Sequence, residues 1–279
     1  MQLKTLLVCL TSPEHAETLL RLAVPLARRS NAHVIGLHTI DSMGVPPAVS
    51  MYIPDSLQRE FKDAQKQRAD GIKDVFRKHT QGESFQSELR LVQTPGDIAN
   101  DRIVESARAA DLVIMSAEDP EADRVDNRNP QVQVIRESGR PVIVVPLGYD
   151  GPEIGHKILL GWSDTREAAR AAHDLLILCD DDTQVTVLRV GNPAKDALED
   201  SDAIDLTETL SRHGLDATLE IRAPVGDGIA DVLGQVAFEG GADLIATGAL
   251  GHSRVYDFVI GATTYKLLRD AKLPVMFSK

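Results

Sequence analysis

The chain carries the same order of sequence patterns twice, and such a repeat restricts its fold more than any other feature. In both halves, short apolar runs alternate with segments whose apolar residues recur at helical spacing. Ala110-Asp-Leu-Val-Ile corresponds to Ala242-Asp-Leu-Ile-Ala, and after a similar interval Arg140-Pro-Val-Ile-Val corresponds to Leu273-Pro-Val-Met-Phe. Continuous apolar strands alternating with helices indicate a parallel sheet covered on both faces. The sequence therefore predicts an α/β protein of two repeated Rossmann-like domains, each a five-stranded parallel sheet with helices on both faces.

The predicted elements follow one another in matching order in the two halves. Strands are predicted at 5–10, 33–38, 87–92, 111–115 and 140–146, then at 157–162, 184–190, 217–223, 243–247 and 273–277. Helices are predicted at 14–29, 57–79 and 98–109, then at 165–178, 228–239 and 265–270. Across 146–155 glycine and proline interrupt both the helical and the strand spacing of apolar residues, which indicates a linker there. This predicts domains at 1–147 and 155–279.

The first half carries an extra stretch, residues 43–54, between its second and third strands. We expect a surface loop leading into the helix at 57–79. The apolar residues of this stretch leave a second interpretation open, in which it covers a partner or the neighbouring domain.

Charge and composition exclude several classes of function. The formal charge of −12 would repel a phosphate backbone, and no Lys/Arg stripe interleaved with aromatic residues offsets it, so we expect no nucleic-acid binding. No run of about eighteen apolar residues occurs, and no basic region followed by a cleavable apolar stretch opens the chain, so we expect a cytoplasmic protein without membrane contact. Cys9 and Cys179 have no second thiol or histidine at ligand spacing and are interpreted as reduced packing residues.

A glycine-rich segment follows the fourth predicted strand of the second half. Gly248 and Gly251 let the chain turn sharply and let a phosphate approach the backbone. Gly261 then opens a helical pattern, whose first-turn N–H groups and the hydroxyls of Thr263 and Thr264 would form a second wall for the same anion. The spacing predicts a phosphate site, although a tight strand-to-helix turn alone would also use glycine.

With this segment the chain resembles the universal stress protein family, in a tandem two-domain form. Its nucleotide-binding members carry Gly, two residues, Gly, nine residues, then Gly followed by Ser or Thr, and Gly248, Gly251 and Gly261 fit that spacing. Ala262 stands where the family has a hydroxyl, a loss of about 1 kcal/mol in one contact, and Thr263 follows as a substitute. The resemblance covers nearly the whole chain, including the strand, loop and helix at 157–170.

The resemblance also implies contacts to the rest of a nucleotide. Family members place an aspartate at the end of the first strand, where this chain has Ser163 followed by Asp164. Either residue can contact the adenosine, and either can instead cap the following helix. Val190, at the end of the second strand, would lie near the base. We do not expect His252 and Ser253 to be a catalytic pair, since adjacent loop residues rarely lie in the required geometry. We favour phosphate contact for both over solvent exposure.

The corresponding segment of the first half, 115–131, has no glycine. Carboxylates stand where phosphates would approach: Glu118, Asp119, Glu121, Asp123 and Asp126. Leu10-Thr11-Ser12 replaces the family's acidic strand end. We therefore predict a degenerate nucleotide site in the first half. A divalent-metal site among the acids is a less favoured interpretation, since charge-rich loops are usually solvated.

The leading functional hypothesis is a stress-response sensor or regulator that binds one adenine nucleotide, ATP with or without Mg²⁺, in its second half. No Gly-x-x-x-x-Gly-Lys-Ser/Thr loop or placed general base occurs, so ATP hydrolysis is expected to be slow at most. The alternative is a nucleotide-free interaction scaffold. The resemblance implies that the final strands join domains, either within one chain or between the chains of a homodimer. An adenylate-forming or electron-transfer enzyme is a poor third, because its signatures are missing from the sequence.

Overall fold

The computed structural model describes residues 2–42, 52–95, 98–119, 129–191, 201–224, 228–251 and 261–279. The first half contains strands β1 (Thr5–Cys9), β2 (His33–Ser42), β3 (Ser87–Pro95), β4 (Leu112–Ser116) and β5 (Val142–Val145), with helices α1 (Pro13–Ser30), α2 (Asp55–Thr80), α3 (Ala99–Ala107) and α4 (Pro130–Glu137). The second half contains β6 (Lys157–Trp162), β7 (Gln184–Val190), β8 (Asp216–Arg222), β9 (Leu244–Gly248) and β10 (Val275–Ser278), with α5 (Arg166–Asp174), a 3-10 turn (Leu175–Ile177), α6 (Ser201–Arg212), α7 (Ile229–Gly240) and α8 (Ala262–Asp270).

The ten strands in the described ranges form one sheet, in the order β3-β2-β1-β4-β5-β10-β9-β6-β7-β8. Within each half the five strands are parallel and follow the same spatial order. The halves meet where β10 pairs antiparallel with β5, with Val275 opposite Val144 and Phe277 opposite Val142. The predicted α/β class and its two repeated five-stranded units are confirmed.

Two apolar clusters cover opposite faces of the sheet, which is why the strands read as continuous apolar runs. In β1, Leu6 and Val8 belong to the cluster that includes α1, α2, α5 and α6, whereas Leu7 and Cys9 belong to the one that includes α3, α4, α7 and α8. None of the helices in the described ranges has the length and apolarity needed to cross a membrane.

The boundaries of several elements differ from the sequence-based expectation. β2 and β3 extend beyond the predicted 33–38 and 87–92, because they pair with each other from Val34–Ser87 to Ser42–Pro95. Helix α2 confirms the prediction at 57–79, whereas α4 and α6 had not been assigned from the sequence. Residues 43–51 of the inserted stretch lie outside the described residues, so its two interpretations stay predictions.

An aspartate before the fourth strand holds the start of each half together, which gives the repeated Ala-Asp-Leu sequence a physical cause. Asp111 Oδ2 accepts hydrogen bonds from the backbone N–H groups of Lys4 and Thr5, both at 2.9 Å. Asp243 accepts from Gly155 at 2.6 Å and from His156 and Lys157 at 2.9 Å each. Each carboxylate thereby ties the N-terminal end of the first strand to that of the fourth.

Helix α1 contacts both the linker and the second half. The Arg21 guanidinium donates to the carbonyls of Tyr149 at 2.7 Å and Asp150 at 2.8 Å, and also to that of Gly151. Arg29 donates to the Leu178 carbonyl at 3.0 Å and pairs with Asp180 at 2.8 Å. These contacts supplement the β5–β10 pairing in holding the two halves together.

Candidate functional site

The predicted site residues of the second half gather at one edge of the sheet. Strand β6 pairs with β7 on one side and with β9 on the other, so the connections leave β6 in two directions. In α/β sheets of this kind ligands bind outside the carboxyl ends of the strands at such a switch point. Ser163 and Asp164 follow β6, Val190 ends β7 and Gly248 ends β9, which brings all four to this edge.

The turn after β9 packs closely against the start of α5. A Cβ placed on Gly248 would lie 2.5 Å from the backbone carbon of Glu167 and 2.6 Å from the nitrogen of Ala168, so only glycine fits there. Between the two glycines, Leu250 has a φ of 60°, a left-handed conformation that non-glycine residues rarely adopt. The turn therefore combines close packing with an unusual backbone conformation.

Helix α8 begins directly after Gly261 with its first turn open. Gly261 has φ −60° and ψ 141°, and as the N-cap residue it has no side chain with which to cap the helix. Ala262 and Thr263 thus present first-turn N–H groups of the kind that bind anions. The Thr264 hydroxyl accepts a hydrogen bond from the Leu250 N–H at 3.4 Å and is buried, and its predicted contact with a phosphate stays a prediction. That bond holds the glycine turn against α8.

The two polar residues after β6 are exposed and neither caps α5. Thr165 is the N-cap, accepting a hydrogen bond from the Ala168 N–H at 3.2 Å. The expectation that Ser163 or Asp164 fills that role is wrong, because the helix starts one residue later than predicted. Ser163 Oγ instead lies 3.2 Å from Thr165 Oγ1. Both side chains therefore remain at the rim of the switch point.

Sequence reasoning missed a polar cluster beside Val190. The Trp162 indole donates to Asp202 at 2.9 Å, and Arg189 pairs with the same carboxylate at 3.2 Å, joining the ends of β6 and β7 to α6. The chain's single tryptophan at a strand end was the available signal. Val190 itself is half-buried and packs on the opposite face, with α7.

A buried carboxylate, Glu167, also escaped the sequence analysis. Its side chain is 8% exposed, and Oε1 accepts a hydrogen bond from Arg166 Nε at 2.6 Å. A Cβ placed on Gly251 would lie 2.9 Å from Glu167 Oε2. The second glycine of the motif therefore lies against an acidic side chain. Two further predicted site residues, His252 and Ser253, lie outside the described residues.

The corresponding helix of the first half, α4, has a side-chain cap at its N-terminus. Asn129 caps α4 by accepting a hydrogen bond from the Val132 N–H at 3.0 Å, and its amide donates to Glu118 at 2.7 Å. Pro130, in the first turn, has no N–H to offer. The Gln131 amide donates to the Ser116 carbonyl at 2.8 Å. The carboxylates predicted at Glu121, Asp123 and Asp126 lie outside the described residues.

Comparison with known proteins agrees with the repeated architecture. Residues 2–146 and 155–279 each match the universal stress protein family. No curated protein matches the chain. A universal stress protein from Archaeoglobus fulgidus aligns with 98% of this chain and 96% of its own at 14% identity and a TM-score of 0.73. A putative universal stress protein from Pseudomonas aeruginosa aligns with 99% and 93% at 14% identity and a TM-score of 0.60.

A third solved structure, a universal stress protein from Archaeoglobus fulgidus in complex with dAMP, aligns with 52% of this chain and 98% of its own at 20% identity and a TM-score of 0.32. At these identities the two likenesses with TM-scores of 0.73 and 0.60 show a shared fold, whereas the family match covers both halves of the sequence. The chain therefore belongs to the universal stress protein family and carries the family's domain twice.

Proposed function

We propose that the second half binds one adenine nucleotide, ATP with or without Mg²⁺, and that the chain acts as a stress-response sensor or regulator. The observation that carries this proposal is the first turn of α8, whose N-cap Gly261 has no side chain and which is held against the glycine turn by the bond between Leu250 and Thr264. A helix N-terminus with free N–H groups attracts phosphate through both hydrogen bonds and the helix dipole.

In the proposed site the phosphates lie between the glycine turn and α8. Ala262 and Thr263 supply backbone N–H groups, and the Thr263 hydroxyl substitutes for the one missing at Ala262. Gly248 and Gly251 keep the turn free of side chains, and Gly261 leaves the helix entrance open. We assign His252 and Ser253 to the same phosphates.

The adenosine side of the proposed site uses the rim of the sheet. Ser163 and Asp164 are exposed at the end of β6 and supply hydrogen-bonding groups for the ribose, while Val190 offers an apolar contact to the base. In this proposal each of these groups contacts the nucleotide, and none is assigned to remove a proton or to activate water. We therefore propose a binding protein with, at most, slow hydrolysis.

We further propose that the first domain, 1–147, has a degenerate site, and that the intact site belongs to the second, 155–279. The Asn129 side chain already accepts a hydrogen bond from one N–H of the α4 N-terminus, and Pro130 removes another donor. Glu118, bonded to Asn129, adds negative charge where a phosphate would enter. One nucleotide per chain is the expected stoichiometry.

The test is isothermal titration of the nucleotide-stripped full chain with Mg-ATP, AMP and GTP, in wild type and two Gly261 variants. Asp is a favoured N-cap, so Gly261→Asp is expected to keep α8 folded while its carboxylate takes the donors that phosphate needs. Gly261→Ala is the matched control, because among the described residues its Cβ would meet only Thr264 Oγ1, at 4.0 Å. We expect an affinity loss of at least about tenfold for the Asp variant and less than about threefold for the Ala variant.

A nucleotide-free interaction scaffold is the second candidate. It is favoured by the packing of Gly248 against Glu167 and Ala168, which requires glycine whether or not a ligand binds. It is also favoured by the β5–β10 pairing, which makes one continuous sheet of the two halves. Absence of binding to all three nucleotides, with none retained on purification, would support the scaffold and a search for protein partners or a homodimer.

We place the protein in the cytoplasm. Cys9 and Cys179 are both free thiols, as is usual in a reducing compartment. Burial raises the pKa of each thiol to about 12, so neither is an easily formed thiolate. Both are packing residues in this proposal.

A further inference from the structure

Within the described ranges, the edge strands of the ten-stranded sheet are β3 and β8. The final strands of the two halves are paired on both sides, β5 with β4 and β10, and β10 with β5 and β9. A second copy of the chain therefore cannot add to the sheet at β5 or β10. An added strand would have to pair with β3 or β8.

Strand β3 turns an unbroken row of backbone groups away from β2. The Val34 N–H in β2 donates to the Gln86 carbonyl at 2.9 Å, so Gln86 and every second residue after it face β2. The residues between them face the outer side of the strand: Ser87, Leu89, Leu91 and Gln93. The nine residues of β3 pair with β2 without interruption, and the strand's proline, Pro95, is its last residue.

The charged side chains of β3 allow two copies of the strand to complement each other. Glu88 and Arg90 flank the outward-facing Leu89, bond to each other and are 44% and 43% exposed. In an antiparallel pair with the two Leu89 residues opposite each other, each Glu88 would lie opposite the Arg90 of the second copy. These would be non-hydrogen-bonded pairs, in which facing side chains come closest together.

The same register suits the backbone and the apolar side chains. The outward-facing residues become the hydrogen-bonded pairs, with Leu91 opposite Ser87 on either side of the central Leu89 pair. Leu91 is 41% exposed in the single chain. It would lie diagonally next to the Leu89 of the second copy on the same face, so pairing removes apolar surface from water.

The β8 edge is less suited to such pairing. Glu220 and Arg222 flank Ile221 in the same pattern. The Gly191 N–H donates to the Arg222 carbonyl at 2.9 Å, so Ile221 faces the outer side of β8. Because β8 ends at Arg222, a pair centred on Ile221 would run beyond the strand on one side. In β3 the corresponding register keeps all three hydrogen-bonded pairs inside the strand.

We propose that two copies of the chain associate through β3, antiparallel and with Leu89 at the two-fold axis, to form one continuous sheet. The chain already joins its own two halves by antiparallel pairing, between β5 and β10. A two-fold contact of this kind closes after two copies. The dimer does not depend on the proposed nucleotide site, and its failure would leave that site unaffected.

Sedimentation equilibrium of the full chain over about 1–100 μM measures the dissociation constant of the dimer in wild type and in variants. Glu88→Arg and Arg90→Glu each place like charges opposite each other. The double variant restores opposite charges with the signs exchanged. Glu220→Arg is the matched control, because it makes the same change in net charge at the β8 edge. Circular dichroism checks that each variant is folded.

We expect a wild-type dimer whose dissociation constant rises at least about tenfold in each single variant. The double variant is expected to recover the wild-type value to within about threefold, and so is an equimolar mixture of the two single variants, which pairs as a heterodimer. Glu220→Arg should match wild type. If Glu88→Arg or Arg90→Glu is unfolded, Leu91→Lys replaces it, and the dissociation constant must rise.

A wild-type chain that stays monomeric at about 100 μM would overturn the proposal and show that Glu88 and Arg90 protect the edge from pairing. A dimer that tolerates both single variants, is not restored in the double variant, or is weakened by Glu220→Arg would also overturn it, because the contact would then lie elsewhere. Assembly beyond a dimer would refute the two-fold contact and indicate pairing of β3 with β8.

Discussion

Removing the carboxylate of Asp243 is expected to destabilise the protein more than removing that of Asp111, although the two residues occupy equivalent places. Asp243 accepts three backbone hydrogen bonds and Asp111 two. Counting about 2 kcal/mol for the buried Gly155 donor and about 1 kcal/mol for each donor that water can reach, Asp243→Ala should lower the free energy of unfolding by about 4 kcal/mol and Asp111→Ala by about 2 kcal/mol.

Urea unfolding, monitored by circular dichroism, measures the free energy of unfolding of both variants relative to wild type. Asp243→Asn is an intermediate control, because its amide oxygen still accepts while its NH₂ group faces N–H donors and cannot replace the second oxygen. A cost for Asp243→Ala equal to or below that for Asp111→Ala would refute the reasoning, since the extra Gly155 bond would then contribute nothing. Costs below about 0.5 kcal/mol for both would mean that these carboxylates do not hold the strand starts.

Two further predictions concern packing and pH. Gly248→Ala would press a Cβ into the α5 backbone and is expected to cost about 1–3 kcal/mol in urea titration, and wild-type stability in this variant would contradict the close approach. Burial raises the pKa of Asp180, but the Thr183 hydroxyl and Arg29 outweigh this effect and hold the pKa of the carboxyl below its ordinary value. Because the pKa of this carboxyl is lower in the folded state, the carboxylate stabilises the fold fully at pH values above the unfolded-state pKa. That stabilisation is lost as the pH falls through the folded-state pKa, below about pH 4. Asp180→Asn should flatten this acid limb of the stability profile, and an unchanged limb would show that the Asp180 carboxylate, with Thr183 and Arg29 as partners, adds no stability.

The sequence by itself determined the repeat, the fold class and the position of most strands. β6 and β7 have the predicted bounds, because apolar runs buried on both faces are visible without any knowledge of their neighbours. The glycine turn was also visible, since a sharp turn at a strand end restricts residue type locally.

Only the tertiary structure decided which side chains meet at the switch point. Glu167 and Gly251 are 84 positions apart in the chain, yet the carboxylate lies against that glycine once α5 packs on the end of β9. From the sequence, no helix is predicted to begin after Asn129. In the structure it is the N-cap of α4, and its amide donates a hydrogen bond to Glu118. Local periodicity reports which face of an element is apolar, whereas the charge inside a site depends on contacts between distant segments, and these form only when the elements pack together.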